Sequence, residues 1–133
     1  MEQATQKAKV GELTQEGTFV KLYVDLFKCG ISEEIGMDGV GLLVAIASYM
    51  KKTGEAYPTQ RQLAKKLGTT PNRINRQIKK LLEYRYNGKP IIIRELRTND
   101  RGAENSVYWI QPLSQLTIFE GQREEVINHY EKH

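Results

Sequence analysis

Cysteine, histidine, proline and long apolar runs are all scarce in this chain. Its one cysteine, Cys29, cannot close an internal disulfide, so folding does not depend on an oxidising compartment. Cys29 reads instead as a small buried hydrophobe. The longest strongly apolar run, residues 40–47, falls far short of the roughly 20 residues that span a bilayer. The opening stretch MEQATQKAKVGELTQEG is polar and lacks the apolar centre of a secretory signal. A cytoplasmic protein with no membrane partner is expected. The two histidines, His129 and His133, have no third ligand at metal spacing. Glu33-Glu34 and Glu124-Glu125 are adjacent pairs that point to different sides of a helix, and so make poor acid–base partners. Glycines 36, 39 and 41 match neither dinucleotide nor P-loop spacing. With no catalytic constellation, the chain reads as a non-enzyme without metal or cofactor.

What is present is a modest core and an uneven charge. With 133 residues, 39% of them hydrophobic, the chain fits one domain with an arm or tail. Its net charge of +4 is divided sharply along the sequence. Residues 1–56 carry six Lys/Arg and eight Asp/Glu, a net of −2. Residues 57–101 carry twelve against three, a net of +9, and residues 102–133 two against five, a net of −3. Positive charge gathered in the middle third is what a polyanion-binding surface requires, although solvated helix faces are also rich in lysine and arginine.

The local pattern decides between those two meanings. Residues 1–17 show no apolar period and read as a flexible arm. TFVKLYVDLF, residues 18–27, suits a helical stripe or an alternating strand equally, and either form should dock on the core. Asp38 is a candidate N-cap for the run VGLLVAIASYM, which is apolar nearly all round and marks a buried central helix. Tyr57-Pro58 sets an extended approach, and Thr59 caps a helix over RQLAKKL with Leu63, Ala64 and Leu67 facing inward. Gly68 stops that helix. Thr70 and Pro71 open a second, strongly basic helix whose inward stripe is Ile74, Ile78, Leu81 and Leu82. Two helices joined by a turn of about three residues form a helix-turn-helix.

Beyond the turn signal Asn87-Gly88-Lys89-Pro90, the runs 91–97 and 106–110 are β-branched or aromatic, and they flank a polar tip over 98–105. A β-hairpin in that position is the wing of a winged helix. The predicted fold is therefore α+β, mainly helical, a winged helix-turn-helix over residues 18–120. Trp109 is expected to pack on the core, and Tyr84 and Tyr86 to close the base of the wing. Leu113, Leu116, Ile118 and Phe119 form a short packing segment, and residues 121–133 a polar tail or short helix.

The stretch YPTQRQLAKKLGTTPNRINRQIKKLLEY, after a central apolar helix and before a hairpin, resembles the winged-helix domains of DnaD-type replication proteins and plasmid replication initiators. FVKLYVDLF and PLSQLTIFE resemble the flanks of DnaD-type amino-terminal domains. Many transcription regulators share the same core pattern. DnaD-type proteins carry a second carboxy-terminal domain, for which residues 121–133 are too few, so the expectation is either a role short of the full replication one or one domain of a longer protein. The resemblance implies replication initiation, with transcription regulation as the alternative.

In such docking the second helix enters the major groove. Its outward set is Asn72, Arg73, Asn75, Arg76, Lys79 and Lys80. Arginine matches the paired acceptors of guanine, and asparagine the donor and acceptor of adenine, so Arg73, Asn75 and Arg76 are assigned to bases, with Asn72 next. Lys79 and Lys80 track phosphate. Thr59, Gln60, Arg61, Thr69 and Thr70 meet the backbone, although Thr59 and Thr70 can equally serve as caps alone. Arg97, Asn99 and Arg101 either reach the flanking minor groove or form a solvated tip. Double-stranded DNA is the expected partner, with a homodimer and replication proteins as further ones. A protein-interaction module built on the same scaffold is the competing reading.

Overall fold

The computed structural model describes residues 16–51, 53–111 and 116–122, giving the backbone alone for 16–18 and 116–122. In chain order the elements are β1 (Glu16–Leu22), α1 (Asp25–Lys28), α2 (Ile31–Ala47), β2 (Glu55–Ala56), α3 (Gln60–Leu67) and α4 (Pro71–Glu83). They continue with β3 (Arg85–Tyr86), β4 (Lys89–Pro90), β5 (Ile92–Thr98), β6 (Glu104–Ile110) and β7 (Leu116–Gln122). Helices and antiparallel sheets are mixed: β1 pairs β7, β3 pairs β4, and a three-stranded sheet runs β2-β6-β5. Residues 19–119 form one compact unit.

α2 is the axis of the core. Leu42, Leu43, Ile46 and Ala47 are buried, and α3 and α4 both pack against it. The helix starts earlier than the sequence suggests. Ile31–Ile35 already forms helical turns, with Glu33 and Glu34 placed favourably at the positive end of the helix. Gly36 then takes φ 74°, ψ 177° and breaks the path, a left-handed φ that glycine adopts without a Cβ penalty. Asp38 consequently lies inside the second segment. It is no N-cap, and its carboxylate is engaged elsewhere.

α3 and α4 form where the sequence placed them. Thr59 Oγ1 accepts from the Gln62 N–H at 3.0 Å, and Gln62 Oε1 accepts from the Thr59 N–H at 2.9 Å, a closed capping box. Leu63 and Ala64 are buried. Leu67, expected inside, is 39% exposed because the helix ends there and turns away. Gly68 (φ 66°, ψ 40°) reverses the chain, and the Thr69 N–H closes back on the Ala64 carbonyl at 2.9 Å. Thr70 Oγ1 accepts from the Arg73 N–H at 3.2 Å, with Pro71 at the first helical position. Ile74, Ile78 and Leu81 supply the buried stripe, and Leu82 is half-buried.

The hairpin runs in register from Ile92↔Ile110 to Thr98↔Glu104. That register puts Ile92, Tyr108 and Ile110 on the core side, so Tyr108 is the buried aromatic, and Trp109, expected there, lies on the opposite face of the sheet and is half-buried. Tyr84 and Tyr86 do not close the hairpin base. The Tyr84 hydroxyl donates to the Glu34 carboxylate and the Tyr86 hydroxyl to the Cys29 carbonyl at 3.5 Å, tying the end of α4 to the α1–α2 junction. Cys29 is half-buried beside the core. Residues 18–27 divide between strand and helix: β1 ends at Leu22, and α1 buries Leu26 while Phe27 stays 57% exposed. Residues 116–122, expected as a packing segment, form strand β7. Apart from Glu16 and Gly17 in β1 and the end of β7, the arm over 1–17 and the tail over 121–133 lie outside the described residues, as do Leu113, His129 and His133. Among the described residues no helix is long and apolar enough to cross a membrane, and no cluster of metal-ligating side chains occurs.

Candidate nucleic-acid interface

α4 presents its polar face through simple periodicity. At about 100° per residue, the side opposite Ile74, Ile78 and Leu81 belongs to Asn72 and Arg76, with Lys79 and Lys80 on either shoulder. All four are exposed. Arg76 makes no ion pair or hydrogen bond among the described residues.

The flanks of this face are engaged within the fold. Asn75 leans toward α3, where its Oδ1 accepts from Gln60 Nε2 at 3.1 Å in a partly buried contact. Arg73 leans toward α2, and its Nη2 meets Asp38 Oδ2 at 2.7 Å. Of the three side chains assigned to bases from sequence, two therefore already hold protein partners, and Arg76 alone does not. The same contacts organise the surface. Gln60 is brought beside the outer face of α4, and Arg73 is held at the head of that helix.

Thr59, Arg61 and Thr70 are exposed at helix starts, and Thr69 is half-buried in the turn. The threonine oxygens at 59 and 70 accept backbone N–H bonds as caps, which leaves each hydroxyl hydrogen free to donate outward. A groove of about 550 Å³, lined by Tyr57, Thr59, Gln60, Asn105 and Ser106 among others, connects the start of α3 to the outer half of β6. The hairpin is thereby brought beside the α3–α4 pair.

Arg97 is placed differently from its sequence assignment. It is the penultimate residue of β5 and is held by carboxylates, its Nε and Nη2 each 2.8 Å from Glu95 Oε1, with Nη1 3.9 Å from Glu55 Oε2. Its guanidinium lies 6.0 Å from the centre of the Trp109 ring. The Glu95 carboxylate, with help from Glu55, pushes the Arg97 pKa above the ordinary arginine value. Arg101 alone of the two arginines is at the tip. There Asn99 Oδ1 accepts from the Arg101 and Ala103 N–H groups at 2.8 and 3.0 Å, which fixes the turn.

Asp38 and Glu34 are neighbours of the interface that sequence reasoning missed. Asp38 stands 35 positions from Arg73 and Glu34 stands 50 from Tyr84, and no local pattern links such pairs. Burial, then the hydrogen bond to Glu34, pushes the Tyr84 hydroxyl pKa well above the usual tyrosine range.

A search of the curated proteins and of the solved structures gives no match. A family model described as a helix-turn-helix domain matches residues 33–86, from within α2 through α3 and α4 to the end of β3. The resemblance to DnaD-type proteins and plasmid initiators has no counterpart in these comparisons. Pattern, geometry and family match agree on one unit: residues 33–86 are a helix-turn-helix domain, a domain that points to DNA binding in general.

Proposed function

We propose that this protein binds duplex DNA by inserting α4 into the major groove. The observation that carries this is the exposed Asn72–Arg76–Lys79–Lys80 face directly opposite the buried Ile74–Ile78–Leu81 stripe, within a helix-turn-helix domain. Arg76 reads a base edge, with Asn72 beside it; Lys79 and Lys80 follow phosphate. Gln60, Asn75 and Arg73 support the face from its flanks and donate their remaining N–H groups. Thr59, Arg61, Thr69 and Thr70 meet the backbone next to the helix starts. The β5–β6 hairpin serves as a wing, with Arg101 reaching the flanking backbone, while Arg97 stiffens the strand.

Replication initiation and transcription regulation would use this surface alike, and the arrangement of the bound sites distinguishes them. Selection of fragments from a random duplex pool is the direct test. Enrichment of a defined motif is expected. A palindromic motif reports a homodimer spanning two half-sites, and tandem repeats point to a replication origin with replication proteins as partners. Absence of any duplex binding at modest salt overturns the proposal in favour of a protein-interaction module.

A further inference from the structure

The Asp38–Arg73 pair is difficult to explain as a device for stability. Both side chains are about half exposed, at 46% and 51%, and pairs of that kind contribute little to folding. Its position is more telling. Asp38 places a carboxylate at the amino-terminal end of α4, the end that helix-turn-helix docking turns toward base edges. An acidic group there opposes indiscriminate phosphate binding, because any approach of the backbone meets like charge.

The contact also leaves Arg73 useful. A guanidinium has five N–H donors in a planar fork, and Asp38 takes one through Nη2 at 2.7 Å. The remaining donors can span the two acceptors of a guanine. An arginine already held at one corner loses less side-chain freedom on docking than a free one. Asp38 and Arg73 line a shared groove with Met37, Gly41, Thr69 and Gln77, so the pair sits in the seam between α2 and the start of α4.

We propose that Asp38 is a specificity-determining positioning residue: it fixes the Arg73 guanidinium for base contact and suppresses charge-driven binding to arbitrary DNA. This rests on the duplex-binding function proposed above. The full chain is titrated with the motif selected from the random pool and with random duplex, at one salt concentration. Asp38→Asn should raise affinity for random duplex and lower the motif-to-random ratio about threefold to tenfold, while the melting temperature holds. Asp38→Glu, which keeps the charge, should restore most of the ratio. Arg73→Ala should weaken the motif strongly in the parent chain but much less in the Asp38→Asn background, since the two act as one unit.

If Asp38→Asn shifts both DNAs by one factor, or if the Arg73→Ala cost is the same in both backgrounds, the proposal fails. Should Asp38→Asn not fold, Arg73→Lys is read on the same DNAs. It keeps the charge and loses the fork, and an unchanged ratio refutes the assignment equally. Failure of duplex binding as such is distinguishable, because the unsubstituted chain then binds neither DNA.

Discussion

Arg76→Ala isolates base reading from charge. The side chain is exposed and makes no ion pair or hydrogen bond among the described residues, so its removal should change folding stability by less than about 0.5 kcal/mol. Whatever is lost on DNA is then lost at the interface. A bidentate arginine–guanine contact contributes about 1–3 kcal/mol of discrimination. With a factor of ten for each 1.4 kcal/mol, the selected motif should bind about 5- to 150-fold more weakly. Random duplex should weaken less, losing one positive charge and no base contact.

Lys79→Ala supplies the comparison. As a phosphate contact it should weaken motif and random duplex by similar factors and reduce the slope of log K against log salt by about 0.9. Fluorescence anisotropy titrations of both variants, on both DNAs, over a range of salt concentrations give all the numbers needed. Equal fractional loss on motif and random DNA for Arg76→Ala would refute the claim that the centre of α4 reads sequence.

Three further outcomes test the framework. Thr59→Ala opens the capping box and should cost about 0.5–2 kcal/mol in denaturant unfolding, with the loss confined to stability if Thr59 only caps and extended to DNA affinity if its hydroxyl also meets phosphate. Gly39→Ala should destabilise markedly in the same assay, because a Cβ there would stand 2.8 Å from Ile35 Cβ across the break in α2. Tyr84 has a folded-state pKa above its unfolded value, so its contribution is complete below about pH 10 and is lost as pH rises toward the folded pKa. Thermal melts between pH 8 and about pH 11 should therefore fall more steeply for the parent chain than for Tyr84→Phe, and parallel curves would remove Tyr84 from the account.

Much of the helical core was legible because its signals are local. Thr59, Gly68, Thr70 and Pro71 act within a few residues of themselves, and Ile74, Ile78 and Leu81 repeat at the period of the helix they build. The hairpin was legible from its β-branched arms and polar tip. What escaped depends on distant strands and helices. Trp109 and Tyr108 are both plausible core aromatics by composition, and the pairing Ile92↔Ile110 decides between them. β2 is two residues long, and pairing with β6 is what makes it a strand. The helical turns over Ile31–Ile35 were hidden because Gly36, Asp38 and Gly39 read as the approach to a helix that starts after them.

The interface divides along the same line, with a consequence for charge. Periodicity alone correctly sets Asn72 and Arg76 on the outer face. It cannot show that Asn75 and Arg73, one step to either side, meet Gln60 and Asp38. The +9 assigned to residues 57–101 is subject to the same blindness. Asp38 and Glu55 belong to the acidic first third of the sequence, yet they face Arg73 and Arg97. Glu95, within the basic segment, takes a second side of Arg97. Among the described residues only Arg73 and Arg97 of the segment's twelve cations hold ion pairs, so the charge is reduced at two places and left open at the others, Arg61, Arg76, Lys79, Lys80 and Arg101 among them. On the duplex-binding function proposed above, one of the two neutralised arginines, Arg73, stands beside the outer face of α4, so binding there would depend on where Arg76 and its neighbours point as well as on bulk attraction.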